Sequence, residues 1–171
     1  MDNKTENFWR ILHINQEMSR YSDTKATAVL SVCGILITLA FSNTQAIFTS
    51  ELNPWVLSVM ILVPGFTALM SIYHAFRSIH PRIIYQKETS FLFFGSIVRE
   101  FKDAEHYYQA LKDELDTERS ILDDLAHQIY INAGLAQKKF RDVRYSIFYF
   151  AATIVILLFE FIGYLLVGLH G

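Results

Sequence analysis

The sequence predicts an all-α membrane protein with three transmembrane helices, the third of them extended by a cytoplasmic helical hairpin or coiled coil. Two observations carry that class. The 171-residue chain is 52% hydrophobic with a mean hydropathy of +0.25, and the excess is concentrated in three runs, Ala26 to Phe48, Trp55 to Phe76 and Tyr145 to Leu169. Each is long enough to cross a hydrocarbon core of about 30 Å. The polar run from Arg99 to Arg144 has its own pattern, with Phe101, Ala104, Tyr108, Leu111, Leu115, Leu122, Leu125, Ile129, Ala136 and Val143 on alternating steps of three and four. That is a heptad seam, broken only by Glu118, Asn132 and Lys139.

In chain order, residues 1–24 form a cytoplasmic segment whose Asn7 to Tyr21 is an amphipathic helix. Phe8, Ile11, Leu12 and Met18 share a face with Asn15. Two placements remain open for it: lying in the membrane interface with Phe8 and Trp9 as anchors, or packed on the soluble extension of the third span with Asn15 as an interior amide that must find a partner. Ser22, Asp23 and Thr24 supply N-cap chemistry ahead of the first span, residues 25–48. This span is expected to be retained rather than cleaved as a signal peptide, because a patterned polar helix precedes it. Its small residues Ala28, Ser31, Cys33 and Gly34 allow close helix approach.

The second span, 55–77, carries Pro64-Gly65 near its middle, which frees backbone carbonyls and is a site for a kink or hinge. Pro81 ends it. Within the cytoplasmic region 78–144, the aromatic run Phe91-Leu92-Phe93-Phe94-Gly95 favours extended structure, so a short irregular or β-like hook is expected over 83–98. Asp103 caps the next helix. A second cap, Asp116-Thr117, divides the seam and favours a hairpin over one rod. The third span occupies 145–169, and its Glu160 is the one ionisable group well inside it. A carboxylate there costs about 2.5–3.5 kcal/mol on insertion scales, so it faces either the outer headgroups or an oligomeric seam.

All fifteen Lys and Arg residues lie in Lys4 to Lys25 or Arg77 to Arg144. The positive-inside rule then puts the N-terminus and 78–144 in the cytoplasm and the C-terminus outside. The clustering near span ends reads as a topology signal and not as a footprint for a nucleic-acid polymer. One cysteine excludes an internal disulfide. No metal-binding, phosphate-loop or nucleophile motif occurs, the six histidines show no ligand spacing, and Asp123-Asp124 reads as a solvated helix face. No enzyme, cofactor or metal is expected.

Three blocks, RYSDTKAT (Arg20 to Thr27), FLFFGSIVREF (Phe91 to Phe101) and DLAHQIYINAGLAQKKFRDVR (Asp124 to Arg144), resemble the membrane effectors of bacterial Pycsar antiphage systems. The resemblance runs from about Asn15 to the last span. It implies a bacterial inner-membrane protein that senses a cyclic pyrimidine mononucleotide, cUMP or cCMP, made by a cyclase on infection, and that impairs the membrane so growth stops. Such a ligand needs cations for its phosphodiester, hydrogen-bonding groups for sugar and base, and an aromatic face. Near the three blocks these are Arg20, Lys25, Lys139 and Arg141; Asn15, Asp23, Gln128 and Asn132; and Phe93 and Phe94 with Gly95. Asp23 facing Lys25 or Lys139 is read in preference to ligand contact as a salt bridge holding span one to span three. Self-association through the heptad seam completes the expectation. The rival readings are a membrane scaffold for a cytosolic partner and a constitutive channel or transporter subunit using Glu160.

Overall fold

The structure is a computed structural model and describes residues 3–42, 53–80, 91, 94–115 and 118–170. These form five helices: α1 (Asn3–Ser42), α2 (Pro54–Ile79), α3 (Phe94–Glu100), α4 (Ala104–Leu115) and α5 (Glu118–His170). No strand occurs among the described residues. Three helices, α1, α2 and α5, are long and apolar enough to cross a membrane.

The helix boundaries follow local chemistry. Asn53 accepts a hydrogen bond from the Trp55 N–H at 3.0 Å, and Pro54 takes the first turn of α2, where a missing N–H costs nothing. The helix stops at Ile79 because His80 precedes Pro81 and is pushed to an extended ψ of 123°. Asp103 caps α4 as expected: its Oδ1 accepts from the His106 N–H at 2.9 Å. That bond, reinforced by the His106 side chain, holds the Asp103 carboxyl below the usual carboxylate range.

One expected helix boundary is corrected. Ser22-Asp23-Thr24 does not cap a new helix, since α1 runs through it unbroken; Ser22 is fully buried and its hydroxyl meets that of Ser78 at 3.4 Å. A 40-residue helix is about 60 Å long, twice a hydrocarbon core. Of the expected hook at 83–98, residues 81–90, 92 and 93 lie outside the described residues, while Phe94 onwards is helical in α3.

The chain divides into two compact units, Met1–Tyr21 with Pro81–Lys138, and Ser22–His80 with Lys139–Gly171. In the first, Leu125 is fully buried, Leu12, Gln128 and Ala136 nearly so, and Asn15 donates to the Ile129 carbonyl at a long 3.5 Å. Tyr107 and Asp124 lie on either side of the junction 116–117, and both bond Phe91: the Tyr107 hydroxyl donates to its carbonyl at 2.9 Å, and its N–H donates to Asp124 at 3.1 Å. Phe91 thereby links Tyr107 of α4 to Asp124 of α5. The Phe101 ring packs between Phe91 and Tyr107, at 5.7 and 5.3 Å. Asp124 is therefore half-buried and structural, not part of a solvated face.

The heptad seam holds along α5 but not across the junction. Leu125, Ala136 and Val143 are buried, whereas on α4 Tyr108 is 58% exposed and Tyr107 turns inward instead. α4 ends at Leu115 and α5 starts at Glu118, and two separate helices need not share a register.

In the second unit the buried positions are small. Ser22, Ala26, Val29 and Cys33 on α1, Ser71, Ala75 and Ser78 on α2, and Val143, Ser146 and Thr153 on α5 are all buried. Ala26, Ala75 and Val143 form the centre of the core, with Leu30 and Ile79 against it. Between lipid-covered helices no hydrophobic force favours association, so close approach at small residues and interhelical hydrogen bonds supply the attraction.

Candidate functional site

The residues expected at a ligand site divide between the two units. In the unit containing Met1–Tyr21, Asn15, Gln128 and Asn132 are already engaged within the fold. Gln128 is 5% exposed, and Asn132 donates to the Gln128 carbonyl on its own helix at 2.8 Å. Arg20 is exposed. Gly95 is half-buried inside α3, with no left-handed conformation to require glycine. Phe93 and the Phe94 side chain lie outside the described residues.

In the same unit an open groove of about 640 Å³ runs beside α1, lined by Glu6, Trp9, Arg10, Leu12, His13 and Gln16 among others. It offers an indole face, a guanidinium, a carboxylate and an amide, from residues that the sequence pattern does not mark as a site. Nothing in their spacing distinguishes a groove lining from a solvated helix face.

In the unit containing Lys139–Gly171, the site residues make an ionic and hydroxyl lattice. Lys139 donates to both carboxylate oxygens of Asp23, at 2.8 and 2.6 Å. This is the expected salt bridge between α1 and α5. The pair is partly sheltered, with Lys139 17% and Asp23 36% exposed. One turn along α5, buried Asp142 lies 3.5 Å from Arg77 of α2. α5 thus holds each of the other two helices through one opposite charge. Lys25 is half-buried and Arg141 exposed.

Below the charges, hydroxyls continue the lattice. Ser78 donates to the Lys139 carbonyl at 3.4 Å. Ser71 and Ser146 each donate to the other's backbone carbonyl at 2.9 Å. Thr153 bonds Thr67 at 2.8 Å, and Thr67 in turn donates to the Pro64 carbonyl at 3.0 Å. Pro64 is buried in this row, while Gly65 is exposed with open space where a Cβ would sit. Glu160 follows Ser146 and Thr153 at heptad steps on α5 and is half-buried. Sequence reasoning missed the serine row, because serines in an apolar run carry no signal of which helix they will meet.

Among the described residues no group of three His, Cys, Asp or Glu side chains converges to hold a metal ion. Three helices long and apolar enough to cross a membrane, held together by ion pairs and interhelical hydroxyl contacts, make this a small helical membrane protein.

Comparison with known proteins gives the family. Residues 7–168 match the model of the Pycsar effector protein domain. The chain is also 23% identical over 141 residues to the Pycsar effector protein PtPycTM of Propioniciclava tarda, covering 80% of this chain and 68% of that protein. No solved structure matches. The chain belongs to the Pycsar transmembrane effector family.

Proposed function

We propose that this protein is an antiphage defence effector of the bacterial inner membrane that responds to a cyclic pyrimidine mononucleotide, cUMP or cCMP, by impairing membrane integrity and arresting growth. The observation that carries the reading is that α1 and α5 each run without a break from an apolar span into a polar, patterned segment, in a chain of the Pycsar effector family. A ligand that favours one packing of the polar segments over another by a few kcal/mol shifts the population of the same helices in the membrane.

In this reading the Lys4 to Lys25 and Arg77 to Arg144 segments face the cytoplasm, with the C-terminus outside. The ligand meets the protein in the polar unit, with Trp9 and Arg10 of the α1 groove and Arg20 as the groups for its base and phosphodiester. Copies of the chain self-associate, because the barrier of a bilayer is not broken by one small bundle. The bilayer is the target and the messenger the signal; no nucleic-acid polymer, cofactor or metal takes part.

The test is dye uptake by liposomes carrying the full chain, with and without cUMP or cCMP. Uptake is expected only with a messenger and is expected to be lost in Arg10→Ala. Equal permeability with and without either nucleotide overturns the reading.

A further inference from the structure

Within the unit formed by Ser22–His80 and Lys139–Gly171, α2 and α5 run antiparallel, since Thr67 meets Thr153, Ser71 meets Ser146 and Ser78 meets Lys139. Towards the Lys139 end each helix carries a tyrosine with an arginine one turn beyond it, Tyr73 with Arg77 on α2 and Tyr145 with Arg141 on α5. The antiparallel run sets the two tyrosines at one depth and the two arginines at the next. His74, beside Tyr73, fixes that level, with its ring centre 5.3 Å from that of Tyr145. Arg144 joins the group, its guanidinium 5.9 Å from the centre of the Tyr145 ring. The charges here do not balance. Lys139 meets Asp23 and Arg77 meets Asp142, but Arg141 and Arg144, both exposed, meet no carboxylate among the described residues.

We infer that this face of α2 and α5 binds an anionic phospholipid, its phosphate on Arg141 and Arg144 and its glycerol region beside Tyr73 and Tyr145. A guanidinium presents parallel N–H donors that match phosphate oxygens, and a tyrosine sits by preference at the headgroup boundary. On the other side of the tyrosines the surface is apolar, with Leu69 and Phe148 each 66% exposed. Arginine, tyrosine and apolar side chain thus follow one another in the order of a lipid from head to tail. A soluble phosphate has no use for the third layer. A topology signal asks only for positive charge on one side of the membrane; it does not ask two helices to match arginine and tyrosine in depth, or one guanidinium to lie on a ring. Two arginines without carboxylates favour a headgroup of net negative charge over a zwitterionic one. The inference needs only that α2 and α5 span a bilayer, and it stands apart from the messenger and from permeability.

The experiment is native mass spectrometry of the full chain, stripped of lipid in detergent and then offered equal amounts of phosphatidylglycerol and phosphatidylcholine with the same acyl chains. The chain is expected to retain phosphatidylglycerol about 30-fold better, or about 2 kcal/mol at 1.4 kcal/mol per tenfold, the worth of two cations facing an anionic headgroup. Arg141→Gln combined with Arg144→Gln is expected to bring the two lipids to parity. Lys112→Gln removes an exposed cation from α4, in the other unit, and is expected to leave the preference unchanged. Equal retention of the two lipids by the unaltered chain overturns the inference, whatever the variants do. So does a preference that survives the double arginine variant, or one that Lys112→Gln lowers as far. Displacement of the lipid by cUMP or by inorganic phosphate, where sodium chloride of equal ionic strength leaves it bound, marks a site for a soluble phosphate and overturns the lipid assignment as well.

Discussion

Along α1 the buried row changes chemistry at Ser22. Before it, the positions turned inward are Leu12 and Asn15; after it they are Ser22, Ala26, Val29 and Cys33. The same change occurs on α5, from Leu125 and Gln128 to Val143, Ser146 and Thr153. In the first unit burial removes apolar area from water, at about 25 cal/mol per Å². In the second, apolar area is equally content in lipid, so buried positions are small and polar, and cohesion comes from contact distance, hydroxyls and ion pairs. One helix thus follows two packing rules, and each can be broken without the other.

The largest effect is expected where burial in water does the stabilising. Leu125 is fully buried, and truncating such a leucine leaves a cavity costing about 2–5 kcal/mol. Leu125→Ala should therefore unfold the polar unit first. Limited proteolysis in nanodiscs would find faster cleavage in 94–138 while the spans stay protected. Loss of the Ser71–Ser146 contact in the same variant, read by paired cysteines, would break the distinction between the two rules.

The ion pair between α1 and α5 comes next. Removing one member of a fully buried pair costs 3–5 kcal/mol and an exposed pair is worth at most about 1. With Lys139 17% and Asp23 36% exposed, Lys139→Ala is expected to cost about 1–3 kcal/mol in SDS-driven unfolding from bicelles. The charge-swapped protein, Asp23→Lys with Lys139→Asp, should recover most of it. A swap no better than the single variant would mean that the lysine stem, and not the charge, holds the helices.

Much of this was legible. The three spans, the Asp103 cap, the stop at Pro81, the Asp23–Lys139 pair and the α5 half of the heptad seam follow from hydropathy, cap chemistry and spacing. What was not legible depends on partners distant in sequence. Ser22-Asp23-Thr24 carries the same cap signal as Asp103, and only the presence of Ser78 and Lys139 opposite decides that it stays helical. Tyr107 and Tyr108 are equivalent by type, and the choice between them is made by Phe91. Asp124 looks solvated until that same residue bonds it.

The smallest effect tests the hydroxyl rule at its clearest point. Ser71 and Ser146 lie with their oxygens 3.4 Å apart, but each hydroxyl has one proton and donates it to the other's backbone carbonyl. The two bonds are therefore separate, and the oxygens share none. Ser146→Ala removes one donor and keeps the close approach, since alanine is no larger. The carbonyl it abandons retains its helical bond, so nothing is left buried without a partner. An interhelical hydrogen bond of this kind averages about 0.6 kcal/mol in a bilayer, and that is the expected loss for Ser146→Ala and again for Ser71→Ala. Because neither substitution strands the other hydroxyl, the double variant should lose the sum of the two within about 0.5 kcal/mol. A coupling beyond that would mean that the hydroxyls bond each other, and the two helices would then be joined by one shared contact in place of two independent ones.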